Sequence, residues 1–248
     1  ARGGDGTYTY EATNLPPGIS FDPISREITG TPTNSGSYNV SVKVTDGTGT
    51  TATQVYVVKV NGELNLTSAT LPDGLVGAVY PVQILPEVTG GSAPYTYDLQ
   101  GLPPALTFDA ATREIKGTPL TGGTYTLTMT ATDKNGITTS TDYTLVVNVG
   151  APTVAAVTIC SGSTATMSVS NTQPGVTYNW YASTGNTIIF TGTTYNTLAL
   201  NANTTYYVQA VSGTALSSRT QVNVTINPAP EVATLISANE RISAGHTA

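Results

Sequence analysis

One cysteine and one histidine are all that 248 residues contain. Cys160 has no partner for an internal disulfide, and a multi-cysteine metal site cannot form. His246 stands near the C-terminal end. Catalytic triads and zinc sites draw on His and Cys, so these counts argue against an enzyme within this stretch. Charge is also scarce. Asp, Glu, Lys and Arg make up 10% of the chain, against roughly 25% in an average soluble protein. Nine basic and fifteen acidic residues give a net charge of -6 without a basic cluster, which excludes a nucleic-acid partner. No apolar run approaches the roughly 20 residues of a bilayer span, and Ala1-Arg2-Gly3-Gly4-Asp5 lacks the pattern of a signal peptide.

Small polar residues and turn formers take the place of charge. Threonine alone accounts for 47 positions, with 25 glycines and 15 prolines punctuating the chain. Compared with itself at an offset of 87, the sequence aligns 8–60 with 95–147 without a gap, and 22 of the 53 pairs are identical. This is a tandem duplication. Within each copy the periodicity is two: Tyr38, Val40, Val42 and Val44 alternate with polar residues, and so do Tyr125, Leu127, Met129 and Ala131. That is the pattern of half-buried strands. Turn residues follow at Asp46-Gly47-Thr48-Gly49 and Asp133-Lys134-Asn135-Gly136, predicting a hairpin that closes each copy. Gly47-Thr48-Gly49-Thr50-Thr51-Ala52 formally fits a dinucleotide fingerprint, but with no helix after it the segment reads as a hairpin turn. With no sustained 3.6-residue period anywhere, the fold class is all-β, built of tandem sandwiches.

Leu15-Pro16-Pro17-Gly18-Ile19-Ser20-Phe21-Asp22, Arg26-Glu27-Ile28-Thr29-Gly30-Thr31-Pro32 and the strand at 36–46, with their counterparts at 102–109, 113–119 and 123–133, resemble the Ig-type, dystroglycan-type cadherin-like repeats of bacterial surface proteins. Both copies depart from the family turn, which has Thr-Gly where Arg26-Glu27 and Arg113-Glu114 stand; a surface ion pair or a turn contact is expected there. From Ala151 a different pattern begins. Cys160-Ser161-Gly162-Ser163, Tyr178-Asn179-Trp180-Tyr181 and Thr204-Thr205-Tyr206-Tyr207-Val208 resemble Ig-like modules of bacterial proteins exported by the type IX system. Those modules often carry a second cysteine, which is missing here, so Cys160 is expected to be a buried small hydrophobe. The expected domains are 1–61, 62–149 and 150–228, with 229–248 a linker and the start of a further module.

A leading strand at 71–84 precedes the shared region of the second copy, whereas residue 4 already corresponds to position 91. The first copy is therefore expected to lack its first strand, leaving an edge that is exposed, filled by a borrowed strand, or used for self-association.

Two candidate sites follow. The cadherin resemblance implies calcium, for which the carboxylates and amide Asp46, Asp133, Asn135, Glu11 and Asp98 are the candidate ligands, although the linkers lack the dense Asp-Asn signature of cadherin junctions and no cofactor is required. Ordinary Asx turns are the alternative for the same residues. Tyr181, Tyr206 and Tyr207 are candidates for a glycan-binding strip, because tyrosine stacks on apolar sugar faces, while Trp180 is expected in the core. The resemblance implies a non-catalytic segment of a secreted or surface-anchored protein, an adhesin stalk or adhesion module with a surface glycan or protein as partner. The alternative is accessory modules of a secreted polysaccharide- or protein-degrading enzyme.

Overall fold

The structure, a computed structural model, describes residues 1–182 and 185–227; the expected linker at 229–248 lies outside the described residues. Every regular element among them is a strand, and none is a helix long and apolar enough to cross a membrane. The described residues form two compact units, one comprising residues 1–120 and 124–147, the other 121–123 and the described residues from 148 to 227.

The first unit holds both repeat copies. In the first copy, β1 (Tyr8–Thr13), β4 (Gly36–Asp46) and β5 (Thr51–Val60) form an antiparallel sheet in the order β1-β4-β5, while β2 (Ile19–Phe21) pairs with β3 (Ile28–Gly30). The long β4–β5 hairpin runs in register from Gly36 opposite Val60 to Thr45 opposite Thr51. In the second copy, β6 (Gly74–Leu75), β8 (Thr96–Gln100), β11 (Gly123–Thr132) and β12 (Thr138–Asn148) form a sheet in the order β6-β12-β11-β8, and β7 (Tyr80–Ile84), β9 (Leu106–Asp109) and β10 (Glu114–Gly117) a second in the order β7-β10-β9. Alternate residues of these strands point inward, as period two requires. Leu127, Met129, Ala131, Leu145, Val147 and Ile115 are each 0% exposed.

The duplication supplies its own control. Ile28 and Ile115 occupy equivalent positions, yet Ile28 is 54% exposed and Ile115 is fully buried; Tyr56 is 55% exposed where Tyr143 is 2%. The cause is the leading segment of the second copy. Its Val76, Tyr80 and Leu85 are at most 1% exposed, its β7 pairs with β10, and its β6 pairs with β12. In the first copy β3 pairs with β2 alone, and β5 is the edge of its sheet. The shared Gly-Thr-Pro has a backbone cause: Gly30 and Gly117 have φ of 115° and 133°, and a Cβ there would strike the carbonyl of Gly18 or Ala105.

The second unit is a sandwich of a different topology. β13 (Val157–Cys160) runs parallel to β20 (Thr220–Asn227), which continues through β18 (Thr204–Ser212), β15 (Thr177–Tyr181) and the edge strand β16 (Ile188–Thr191). Facing this sheet are β14 (Thr166–Ser168) and β17 (Thr194–Asn196), and β19 (Ala215–Leu216) caps β18. Trp180 is fully buried, and its indole N–H donates to Gly192 O at 2.9 Å. Cys160 is exposed, contrary to the burial expected for it. On β13 the inward positions go to Val157 and Ile159, so alternation turns Thr158 and Cys160 outward.

The equivalent isoleucines give a direct test of the missing layer. Ile115→Ala is expected to cost about 2–5 kcal/mol in urea unfolding, as for buried aliphatic truncations. Ile28→Ala should cost about 0.5 kcal/mol or less, as for surface substitutions. Equal losses would show that the two positions share one environment.

Candidate functional site

Aspartates in this chain organise turns. Asp133, 6% exposed, accepts backbone N–H bonds from Asn135 at 2.8 Å and Ile137 at 3.0 Å on Oδ1, and from Ser92 at 3.0 Å on Oδ2. Its counterpart Asp46 accepts from the Thr48 amide and hydroxyl and from the Thr50 amide at 2.8–3.0 Å. Asp22 and Asp109 do the same for Ile24 and Ala111 in the preceding turn.

These bonds hold the carboxyls below their usual range. At Asp133 burial pushes upward and is the largest single influence, but the amides of Ile137, Ser92 and Asn135 together outweigh it. At Asp46 the Thr48 hydroxyl contributes most, at Asp5 the Thr7 amide, at Asp22 the Ile24 amide and at Asp109 the Ala111 amide.

The five candidate calcium ligands are not gathered into one cluster. Glu11 sits opposite Lys43 and Tyr8 opposite Asp46, so Glu11 and Asp46 are three residues apart along the sheet, about 10 Å. Glu11 pairs with Lys43 at 3.9 Å, and Asp98 accepts from Gln100 at 2.8 Å. Asn135 donates to Ser92 Oγ at 3.2 Å. Among the described residues no three of His, Cys, Asp and Glu come together as a metal-binding group.

Ser92 is instead the centre of a polar clamp between the two copies. Its hydroxyl accepts from Asn61 Nδ2 at 2.6 Å, its carbonyl accepts the Lys134 amide at 2.9 Å, and beside it the Gly91 amide donates to Gly62 O at 2.8 Å. The linker is thus tied directly to the β11–β12 turn.

The three candidate tyrosines do not form an open strip. Tyr206 is 6% exposed and meets Tyr195 edge-on at 5.5 Å within an aromatic group that includes Trp180. Tyr181 and Tyr207 lie opposite each other on the other face of the sheet. There Tyr181 is only 5% exposed, because the Arg219 guanidinium stacks 3.7 Å above its ring and is anchored to Gly185 O and Asn186 Oδ1. Tyr207 alone is half-buried.

Sequence reasoning missed this cation–π pair and two others. Arg26 lies over Tyr10 at 5.6 Å and Arg113 over Tyr97 at 5.4 Å, both arginines at positive φ in the duplicated turn. The spacing of Tyr-Thr-Tyr and Arg-Glu-Ile, repeated in both copies, was the available signal. The expected ion pair there is Arg113 with Glu87 at 3.9 Å, not with the adjacent Glu114. Also unforeseen was the exposed run Ile188, Ile189 and Phe190 on the edge strand β16, 48%, 38% and 40% exposed.

A family model described as "Putative Ig domain" matches residues 1–61 and 64–148, more than half of the chain. The chain belongs to this Ig-like family. Residues 150–228 match a second model, the Ig-like domain CHU_C associated. The serine-rich adhesin for platelets of Staphylococcus aureus strain MRSA252 is 34% identical over 143 residues, 56% of this chain and 10% of that protein. Its counterpart in strain MW2 is also 34% identical over 143 residues, 6% of its length. The chain thus spans a tenth or less of these relatives. Among solved structures, Drosophila N-cadherin EC1-4 is 14% identical with a TM-score of 0.36, covering 92% of this chain and 69% of that one. Mouse cadherin-23 EC22-24 is 16% identical with a TM-score of 0.36, covering 92% and 89%.

Acid is expected to loosen these turns. Depressed folded-state values mean that the aspartates' contribution is fully present above the ordinary aspartate range and is lost as pH falls through the folded values. Melting temperature followed from pH 7 downward should drop below that range, and Asp133→Asn should flatten the drop; an unchanged profile would refute the turn assignment. Since the turn carboxylates are satisfied by the chain's own donors, melting in calcium and in chelator is expected to coincide.

Proposed function

We propose that this chain is a non-catalytic adhesion segment of an extracellular bacterial protein, serving as a stiff stalk between other parts of that protein. The clamp centred on Ser92 carries the reading. A flexible Gly/Ser linker between modules behaves as a coil whose span grows only with the square root of its length, about 5–6 Å × √n. Here the junction is instead fixed by Asn61 to Ser92 and by Gly91 to Gly62, with Ser92 itself bonded to Asp133. Bending would break hydrogen bonds whose donors and acceptors are already aligned.

Three further observations support it. Ig-like modules repeat in tandem, the second module's interior is largely apolar, and the relatives that match 143 residues of the chain are named adhesins. A low-charge, hydroxyl-rich exterior suits an extracellular location, where nonspecific ion pairing would hinder a spacer.

The stalk role is tested by placing the chain between a ligand-binding domain and a bead and measuring capture under flow. Capture should exceed that obtained with a Gly/Ser linker of equal residue number, and Asn61→Ala with Ser92→Ala should fall between the two. Equal capture by linker and chain would sink the stalk role. Saturable binding of cells or arrayed glycans by the chain itself would make it a direct adhesin instead.

A further inference from the structure

Two Asn-Gly pairs occur in the chain, Asn61-Gly62 and Asn135-Gly136, and both asparagines donate to the same atom. Asn61 Nδ2 lies 2.6 Å and Asn135 Nδ2 3.2 Å from Ser92 Oγ. Asparagine is among the thermolabile residues. Before a glycine its weakness is steric in origin: with no Cβ on the following residue, that residue's amide nitrogen can reach the asparagine Cγ and displace the side-chain nitrogen.

The structure treats the two pairs differently. Gly136 has φ of 81° in the β11–β12 turn, and its amide donates to Asp133 O at 3.0 Å. On either side of it the Asn135 and Ile137 amides are held by Asp133 Oδ1. The nucleophile of this pair is tied down, and the turn must open before it can attack. The Gly62 amide, in contrast, has no acceptor among the described residues. Neither backbone conformation nor packing calls for glycine there: Gly62 lies outside the left-handed region, and a Cβ would meet Ser35 and Gly90 only at 3.8–4.0 Å. Its neighbours across the junction, Gly90 and Gly91, have φ of 76° and 58° and no such freedom. Asn61 is exposed, and both residues of the pair line an open groove of about 460 Å³. Water therefore reaches them.

We infer that Asn61-Gly62 is a self-modification site that releases the junction between the two copies with age. The Gly62 nitrogen gives up its proton and bonds to Asn61 Cγ; the Cγ–Nδ2 bond breaks as Nδ2 takes up a proton and leaves as ammonia. A cyclic succinimide remains. Water then adds to one or the other ring carbonyl, and opening leaves either aspartate or isoaspartate, the latter with an extra methylene in the main chain. Water is the sole co-reactant, and nothing is oxidised or reduced. Either product costs the clamp its Asn61 donor, since an ionised carboxylate only accepts hydrogen bonds. It also places a new negative charge beside Ser92, whose amide already binds Asp133, and the two carboxylates repel. The isoaspartate further displaces the Gly62 carbonyl that holds the Gly91 amide at 2.8 Å.

The test ages the full chain in mildly alkaline buffer and follows the exchange of NH for O at each asparagine by peptide mapping and mass spectrometry. Asn61 should convert about tenfold or more faster than Asn135 in the folded chain, because local opening limits the held pair. In urea the two rates should converge. Gly62→Ala should fold normally by circular dichroism and slow conversion at position 61 about tenfold or more, by placing a Cβ beside the amide. Hydrogen exchange at the Gly91 amide should quicken about tenfold in the aged chain and not in aged Gly62→Ala. No conversion at Asn61, conversion of Asn135 at the same rate in the folded chain, a preference for Asn61 that persists in urea, or unaltered exchange at Gly91 after conversion would each overturn the inference. Mass and exchange are read without any capture assay, so failure of the stalk role would leave this result standing.

Discussion

A β-sandwich has an interior only where both of its layers are present, and everything else in the first unit follows from that. The second copy brings β7 and β6 against β10 and β12, so Ile115, Tyr143 and Val147 lose contact with water. At roughly 25 cal/mol per Å² of apolar surface, these side chains drive closure. The first copy presents nearly the same residues on the same strands, and Val40 alone among its large apolar side chains reaches full burial. Hydrophobic sequence is therefore necessary for a core here but not sufficient. What decides is the cover that leading strands give, as β7 on β10 and β6 on β12 do in the second copy.

The same economy appears in the polar chemistry. A chain with only fifteen acidic residues repeats Asp22 as Asp109 and Asp46 as Asp133. Each of these four carboxylates is aimed at the backbone amides of its own turn, where a negative acceptor is worth more than a neutral one. At the junction Asp133 also reaches Ser92, so the turn that closes the second copy's hairpin is the anchor on which the linker rests. Hairpin geometry and junction geometry are thus coupled through one buried carboxylate.

The fold was legible in the sequence because duplication and period-two alternation are local signals that survive without a structure. Leu127, Met129 and Ala131 point inward together, as their spacing requires. Cys160 shows how such a signal can be overridden. Its hydrophobicity argued for burial, but neighbouring Ile159 claims the inward direction, and alternation then leaves the thiol outside. The tyrosines of the third module fail for another reason. That Tyr181 faces away from Trp180 is readable from adjacency, whereas its cover, Arg219, comes from 38 positions further along the chain, and no local pattern announces it. The candidate calcium ligands rest on the cadherin resemblance; their partners, Lys43, Gln100 and backbone amides, depend on register and turn closure, which composition does not convey.

The duplicated arginine joins these threads. A non-glycine residue in the left-handed region costs roughly 1–2 kcal/mol. An exposed cation–π contact returns about 0.5–1 kcal/mol, so Arg26 over Tyr10 offsets only part of its own backbone strain. In the second copy the leading segment adds a hydrogen bond from Nε to Leu85 O and the carboxylate of Glu87, and Leu85 N caps the arginine's own carbonyl. The strained residue becomes favourable only once a strand lies beside it. In the second copy the arginine therefore serves as a contact to the leading strand.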